Sequence, residues 1–347
     1  MEITFYRHSI LNRGGDKMVV LHASSLAKQG HTVIIQTSVI DSIFNIPKEI
    51  IIKKNKTTTK IGTLRTAFAT KFTSDIVIAD IIVLSTILAF RNRKKIIYFA
   101  QDYDEFYYKN NIQKLLIRII YYIGLLVYKI PIIAVSKTLA KILKKRFYRD
   151  VNVVENGIDT EIFFYDPSIV LKKNKQTENA ILLLSRKDAR KGFNVGIKVI
   201  KEFKKKYNLS FEVWTIGDPP GEFLHEIPYK HFGYVDENRL REIMSSSDVF
   251  LYPSQHEGFG LMVMESFACK CPVVTTDAVS YAQHGKNALK SKIGDYHNMA
   301  DNLYLLITDK KLKEELIQSG RRYSEKHRLE DSCTKFGTII QHFYNHM

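Results

Sequence analysis

Glu257 and Glu265, eight residues apart, bracket a glycine turn in the run Pro253-Ser254-Gln255-His256-Glu257-Gly258-Phe259-Gly260-Leu261-Met262-Val263-Met264-Glu265. An apolar strand pattern, Asp248 to Tyr252, leads into this run, and an apolar helix pattern leads out of it. A helix beginning near Gly260 leaves Glu257 in the loop and sets Glu265 just over one turn inside. The uncapped N–H groups and positive dipole end of such a helix suit an anion such as a diphosphate. A carboxylate on each side can accept hydrogen bonds from hydroxyl groups, and a nucleotide-sugar carries both features in one molecule. The plainer reading is dipole compensation on a solvated helix. Against it, Leu261, Met262, Val263, Met264, Phe267 and Ala268 leave almost no polar face. A carboxylate in a buried helix needs a partner or a ligand.

Arg186 and Lys191 follow another strand pattern, Ala180–Ser185, within a short loop. Ligands of open parallel sheets gather at the carboxyl ends of strands. Two cations there could clamp a diphosphate and offset the charge that grows on it as a leaving group, although exposed Arg and Lys more often only solvate a turn. Gly217-Asp218, after the strand holding Trp214, reads as a turn.

The elements that must position these groups fall into two similar halves. In the first, Glu2–Tyr6, Thr32–Gln36, Asp75–Ala79, Lys95–Ala100, Ile132–Val135 and Val151–Glu155 read as strands, and Lys17–Gln29 as a helix stopped by Gly30. In the second, Ala180–Ser185, Phe211–Ile216, Val249–Tyr252 and Pro272–Thr275 read as strands, with a helix from about Asn194 to Tyr207. Short continuous apolar strands separated by helices indicate parallel sheets covered on both faces. The expected architecture is α/β, two doubly wound domains facing one another across a cleft. Residues 1–165 form the N-terminal domain and 179–320 the C-terminal one. The polar stretch Asp166–Glu178 links them, and a helical tail, 321–347, packs back on the first domain.

The net charge of +16 is uneven: residues 1–165 hold 25 Lys/Arg against 13 Asp/Glu, leaving the second half nearly balanced. Such a half suits an anionic membrane surface or a polyanionic acceptor, or is simply a solvated face. Lys114 to Lys129 is apolar most of the way round, either a core helix or a segment that dips into a bilayer. It is shorter than the roughly 20 residues that span one. The N-terminus reads as an immediate strand with no secretory pattern, and three sparse cysteines fit a reducing compartment. A cytoplasmic location, peripheral on the inner face of the plasma membrane, is expected. His225, His231, His256 and His284 lack zinc spacing.

Arg186, Lys191-Gly192, Gly233-Tyr234-Val235, Pro253-Ser254 and Glu257-Gly258-Phe259-Gly260-Leu261 through Glu265 resemble, in order and spacing, the family-4 retaining glycosyltransferases of GT-B fold. Gly14-Gly15, Gly30-His31-Thr32-Val33, Val135-Ser136, Asn156-Gly157-Ile158-Asp159, Gly285-Lys286-Asn287-Ala288 and Gly294-Asp295 extend the resemblance over nearly the whole chain. It implies that Arg186 and Lys191 bind the donor diphosphate and that Glu257 contacts the donor sugar. Glu265 would hold the ribose hydroxyls, and Tyr234-Val235 would meet the base through the backbone. The amides of Gly258, Phe259, Gly260 and Leu261 would lie along sugar and phosphate, and Gly15 would let its loop approach the phosphates. It further implies transfer with retention, no metal and no cofactor, the departing phosphate taking the acceptor proton. A saccharide acceptor, lipid-linked, in surface polysaccharide or glycolipid synthesis follows from the same resemblance.

The chain departs from the family at Tyr98-Phe99-Ala100-Gln101-Asp102-Tyr103-Asp104-Glu105, where Gln101 replaces a His. The run is similar to a subset making rhamnose-containing polysaccharides. Gln101, Asp102 and Asn156 are candidates for the acceptor or sugar side. Asp102-Tyr103-Asp104 also offers a rival, an Asp-x-Asp that could hold a divalent metal. Two rival functions compete with transfer: that of a GT-B relative such as a sugar-nucleotide epimerase or phosphorylase, and that of a basic nucleic-acid-binding module. A module of that kind would carry an aromatic ladder or a known motif, and the chain has neither.

Overall fold

The computed structural model describes residues 1–221 and 227–346, so His225 lies outside the described residues. The chain divides into two compact units, residues 1–156 with 330–347, and residues 157–329.

The strands of the first unit are β1 (Glu2–Tyr6), β2 (Ser9–Leu11), β3 (Thr32–Thr37), β4 (Val39–Asp41), β5 (Ile51–Lys54), β6 (Ile76–Ala79), β7 (Ile96–Ala100), β8 (Ile132–Ala134) and β9 (Asn152–Val153). Those of the second are β10 (Asn179–Ser185), β11 (Phe211–Gly217), β12 (Tyr229–His231), β13 (Val249–Tyr252), β14 (Val273–Thr276) and β15 (Leu289–Ser291). The first unit's main sheet runs β5-β3-β1-β6-β7-β8-β9, and the second unit's runs β12-β11-β10-β13-β14-β15. Their ladders are parallel. Both orders reverse direction next to the first strand of the sheet, and that switch opens a crevice at the strand ends. The switch lies between β1 and β6 in one unit and between β10 and β13 in the other.

Central strands are buried on both faces: β7, β8 and β13 have no exposed residue, and β10 only a half-buried Asn179. The second unit's core gathers Ile181, Leu183, Val213, Val249 and Leu251 against Ile197, Ile200, Phe203, Leu303 and Leu306 of its helices. In the first unit the last helix, Leu329–Asn345, sets Phe336 against Phe5, His22 and Phe99.

Two boundaries differ from the sequence reading. Residues 166–178 are no linker but part of the second unit. Leu171 is buried there, and the amides of Asp166 and Ser168 donate to the hydroxyls of Ser245 (3.0 Å) and Ser246 (2.9 Å). The return to the first unit comes at residue 330 rather than 321, because the helix Lys310–Glu325 packs with Gly320 against Phe267 of the second.

Candidate functional site

In the second unit, the loops after β10 and β13 meet at the switch. Gly192 (φ 73°) ends the first loop and starts the helix Phe193–Lys206. A Cβ on Gly192 would stand 1.9 Å from the Pro253 carbonyl oxygen, so only glycine lets the two backbones pack this closely. The Gln255 amide donates to the Arg190 carbonyl at 2.7 Å and ties the loops together.

That packing brings Lys191 to Glu257, with Nζ at 2.9 and 3.0 Å from the two carboxylate oxygens. Glu257 Oε1 also accepts from the Tyr252 hydroxyl at 2.6 Å and lies 2.7 Å from the Ser254 hydroxyl. The Glu257 side chain is 6% exposed and that of Lys191 29%. Glu257 is therefore a held carboxylate, more enclosed than a residue lining an open cleft. Burial, then the charge of Glu257, pushes the Tyr252 phenol well above its ordinary range, so Tyr252 stays a neutral donor.

The turn Gly258-Phe259-Gly260 follows. Gly260 (φ 96°) starts the helix Leu261–Ala268, and no side chain caps it. The Val263 amide donates to the Gly260 carbonyl at 3.0 Å, which leaves the Leu261 and Met262 N–H groups of the first turn to solvent or a ligand. The Tyr281 hydroxyl donates to the Gly260 carbonyl at 2.6 Å and fixes the turn from behind. Glu265 lies inside this helix and is buried.

Arg186 turns to the other side. It donates to the Tyr234 hydroxyl at 2.6 Å and lies 4.7 Å from the centre of that ring. The Tyr234 hydroxyl in turn donates to Asp218 (2.7 Å), which also accepts from the Lys187 amide (2.7 Å). Burial raises the Asp218 pKa, but Tyr234, the Lys187 amide and Arg186 outweigh it and hold the carboxyl below its usual range. Asp218 is thus more than a turn residue: it orders the strand-end loops that carry Arg186 and Tyr234. Tyr234 is exposed and Val235 half-buried. A depression of about 330 Å³ is walled by Arg186, Lys187, Asp218 and Gln255, among others; Lys191 and residues 258–261 do not line it.

The sequence reading assigned Tyr252, Ser254 and Asp218 no role in holding the site. Each sits at or just beyond a strand end, which is the available signal.

At the first unit's switch, Arg7 after β1 is buried with Asp16 and Asp80. Arg7 bonds Asp16, and its guanidinium lies 3.0 Å from Asp80. Asp16 also accepts from Arg13 (2.8 Å) and the Leu11 amide (2.7 Å). Burial raises the Asp80 pKa against the pull of Arg7. None of these residues was a candidate site residue in the sequence reading. A Cβ on Gly15 would lie 3.6 Å from Gln101 Oε1, an ordinary contact, so close approach within this unit does not require glycine there. The buried Gln101 Nε2 and Asn156 Oδ1 have no protein partner among the described residues.

The Asp102-Tyr103-Asp104 carboxylates serve the backbone. Asp102 accepts from the Tyr103 amide at 2.7 Å, and Asp104 from the Ile82 amide at 2.6 Å, the first residue of the helix Ile82–Asn92. Burial pushes the Asp104 carboxyl up to about 8. Among the described residues no three His, Cys, Asp or Glu side chains gather as metal ligands would.

Residues 168–323 match the family described as glycosyl transferases group 1. The matched stretch lies within the second unit. The chain is 25% identical over 205 residues to N-acetyl-alpha-D-glucosaminyl L-malate synthase of Bacillus anthracis, a match covering 55% of this chain and 53% of that protein. It spans about half the length of the curated relatives it matches. Whole-chain similarity is to solved structures. Sucrose-phosphate synthase from Thermosynechococcus elongatus superposes with a TM-score of 0.80 at 15% identity, over 100% of both chains. Anabaena Alr3699/HepE in complex with UDP-glucose superposes with 0.78 at 16%, over 98% of this chain and 99% of that one. The chain has the GT-B fold. The stretch that matches the family includes the Arg186, Lys191, Tyr234 and Glu257–Glu265 segments described above.

Proposed function

We propose that this chain is a glycosyltransferase that moves a sugar from a nucleoside diphosphate to a saccharide acceptor, lipid-linked, with retention at the anomeric carbon and without a metal. One observation carries the reading. At the second unit's switch, a cation held by a buried carboxylate stands beside a glycine turn that opens an uncapped helix. The solved relative in complex with UDP-glucose supports the donor class.

Glycosyl transfer passes through an oxocarbenium-like state as charge separates toward the leaving group. Lys191, with the amides of Gly258 to Leu261, stabilises the diphosphate as it departs, and Arg186 joins it on turning away from Tyr234. Glu257 positions Lys191 through two contacts and faces the donor sugar. Glu265 takes the ribose hydroxyls, and the Tyr234-Val235 backbone the base. Gly15 serves the donor phosphates, and Gln101, Asp102 and Asn156 the sugar or acceptor. The departing phosphate oxygen accepts the acceptor's proton, so no separate base is assigned. Work at the cytoplasmic leaflet suits this acceptor class; among the described residues no helix is long and apolar enough to cross a membrane.

A thermal-shift panel of UDP-, GDP- and dTDP-sugars tests the reading. One donor class should raise the melting temperature by mass action, and release of its nucleoside diphosphate should accelerate with acceptor. No shift with any donor and no release would contradict it.

A further inference from the structure

The helix Asn111–Tyr122 is amphipathic the wrong way round. Ile112, Leu115, Leu116, Ile119 and Tyr122 recur at three- and four-residue spacing and share one face. Such a stripe ordinarily faces the core. Here the buried side chains are Ile117 and Tyr121, while Ile112, Leu115, Leu116 and Ile119 are 46–68% exposed.

The orientation is fixed. Arg118 bonds the buried Glu105 carboxylate, 2.9 Å from Nε, and Arg146 bonds it as well. The Tyr121 hydroxyl accepts from the Asp104 amide at 3.0 Å, and its ring stacks on Tyr103 and Phe147. Rolling the apolar stripe inward would break every one of these contacts. Exposed Phe106 and Tyr107 precede the helix, and exposed Val127 follows it. The adjoining helix Ile82–Asn92 carries exposed Phe90, stacked at 5.0 Å on exposed Phe68.

Charge selects the occupant. Residues 81–149 hold fourteen Lys/Arg against three Asp/Glu. The three acids, Asp102, Asp104 and Glu105, are all buried. Lys109 and Lys129 flank the helix in exposed positions, and Arg91, Arg93 and Lys94 end its neighbour exposed. A second copy of this basic face would be repelled, whereas anionic lipid headgroups are attracted.

We propose that the outward face of Asn111–Tyr122 docks in the plane of an anionic membrane, its apolar side chains among the acyl chains and its flanking cations on the headgroups. This assignment stands independently of the transfer reading. The chain at low salt is sedimented with vesicles of phosphatidylglycerol and phosphatidylethanolamine, or of phosphatidylcholine alone. Binding should be about tenfold or more tighter to the anionic vesicles, and weaker at high salt. Leu115→Ser with Ile119→Ser should cut that binding about tenfold or more with an unchanged circular dichroism spectrum. Ile169→Ser with Val170→Ser, exposed in the second unit, should leave it unchanged. A photoactivatable phosphatidylglycerol should label the unaltered chain within residues 106–127. Absence of binding to anionic vesicles, equal binding by the Leu115/Ile119 variant, or labelling elsewhere overturns the proposal. A dimer that forms without vesicles and is lost in that variant assigns the face to a second copy and overturns it too.

Discussion

The two switch points share a strand order yet are filled in opposite ways. In the first unit, Arg7 is shared between Asp16 and Asp80, all three buried, and Arg13 also bonds Asp16, so two cations meet two carboxylates and the crevice neutralises itself. In the second, one part-exposed lysine meets one carboxylate, and a glycine turn presents an uncapped helix start. The first arrangement satisfies the fold; in the second the Lys191–Glu257 pair is balanced, and the uncapped helix start supplies the positive potential for a ligand. Fold therefore supplies the crevice twice, and the residues at the strand ends decide which one binds an anion.

Substitutions can break this contrast. The largest expected effect is on turnover: Lys191→Ala should lower kcat at saturating donor by about 10²–10³-fold, as loss of one preorganised donor does. Glu257 keeps Tyr252 and Ser254 as partners, so the fold should survive, which a melting curve checks. Glu257→Ala is a poorer probe, because it strips a buried site to which three side chains donate. Arg7→Ala should instead destabilise by about 3–5 kcal/mol in chemical denaturation, since it leaves Asp80 buried without its cation. Nucleotide affinity of the folded fraction should not change. If it fell as far as in Lys191→Ala, the division of labour between the two crevices would be wrong.

At neutral pH the smallest effect belongs to His22. Its ring lies against Phe336 and Phe99, neither ring nitrogen has a partner among the described residues, and burial depresses its pKa to about 3. The folded state thus refuses a proton that the unfolded chain binds below its ordinary value of 6.5. The neutral ring's contribution is fully present above about pH 6.5 and is lost as pH falls toward about 3, with a slope approaching 1.4 kcal/mol per pH unit. His22→Leu should flatten that acid limb in denaturation curves taken between those values.

Much of this was legible beforehand because central strands bury both faces and write continuous apolar runs, as β7, β10 and β13 do. Edge strands were not. β5 reads Ile-Ile-Lys-Lys and is mostly exposed, so it writes no continuous apolar run, and β12 and β15 are three residues each. The Glu257 segment was visible because a carboxylate in an apolar helix contradicts its surroundings. Its supports were invisible: Tyr252 looked like the last apolar residue of a strand, and the Asp218–Tyr234–Arg186 chain joins residues up to 48 apart. Asp80 is likewise remote in sequence from Arg7 and Asp16 and meets them because β1 and β6 are neighbours. The outward-facing helix 111–122 exposes the limit of periodicity: spacing identifies an apolar face but not the side to which it turns.

Calorimetric titration of UDP, GDP and dTDP into the unaltered protein and the Lys191→Ala variant tests the anion-binding role of the second crevice most directly. One nucleotide should bind the unaltered protein, with affinity falling about tenfold or more in the variant. Equal affinity in the two proteins, or no binding of any of the three, would contradict it.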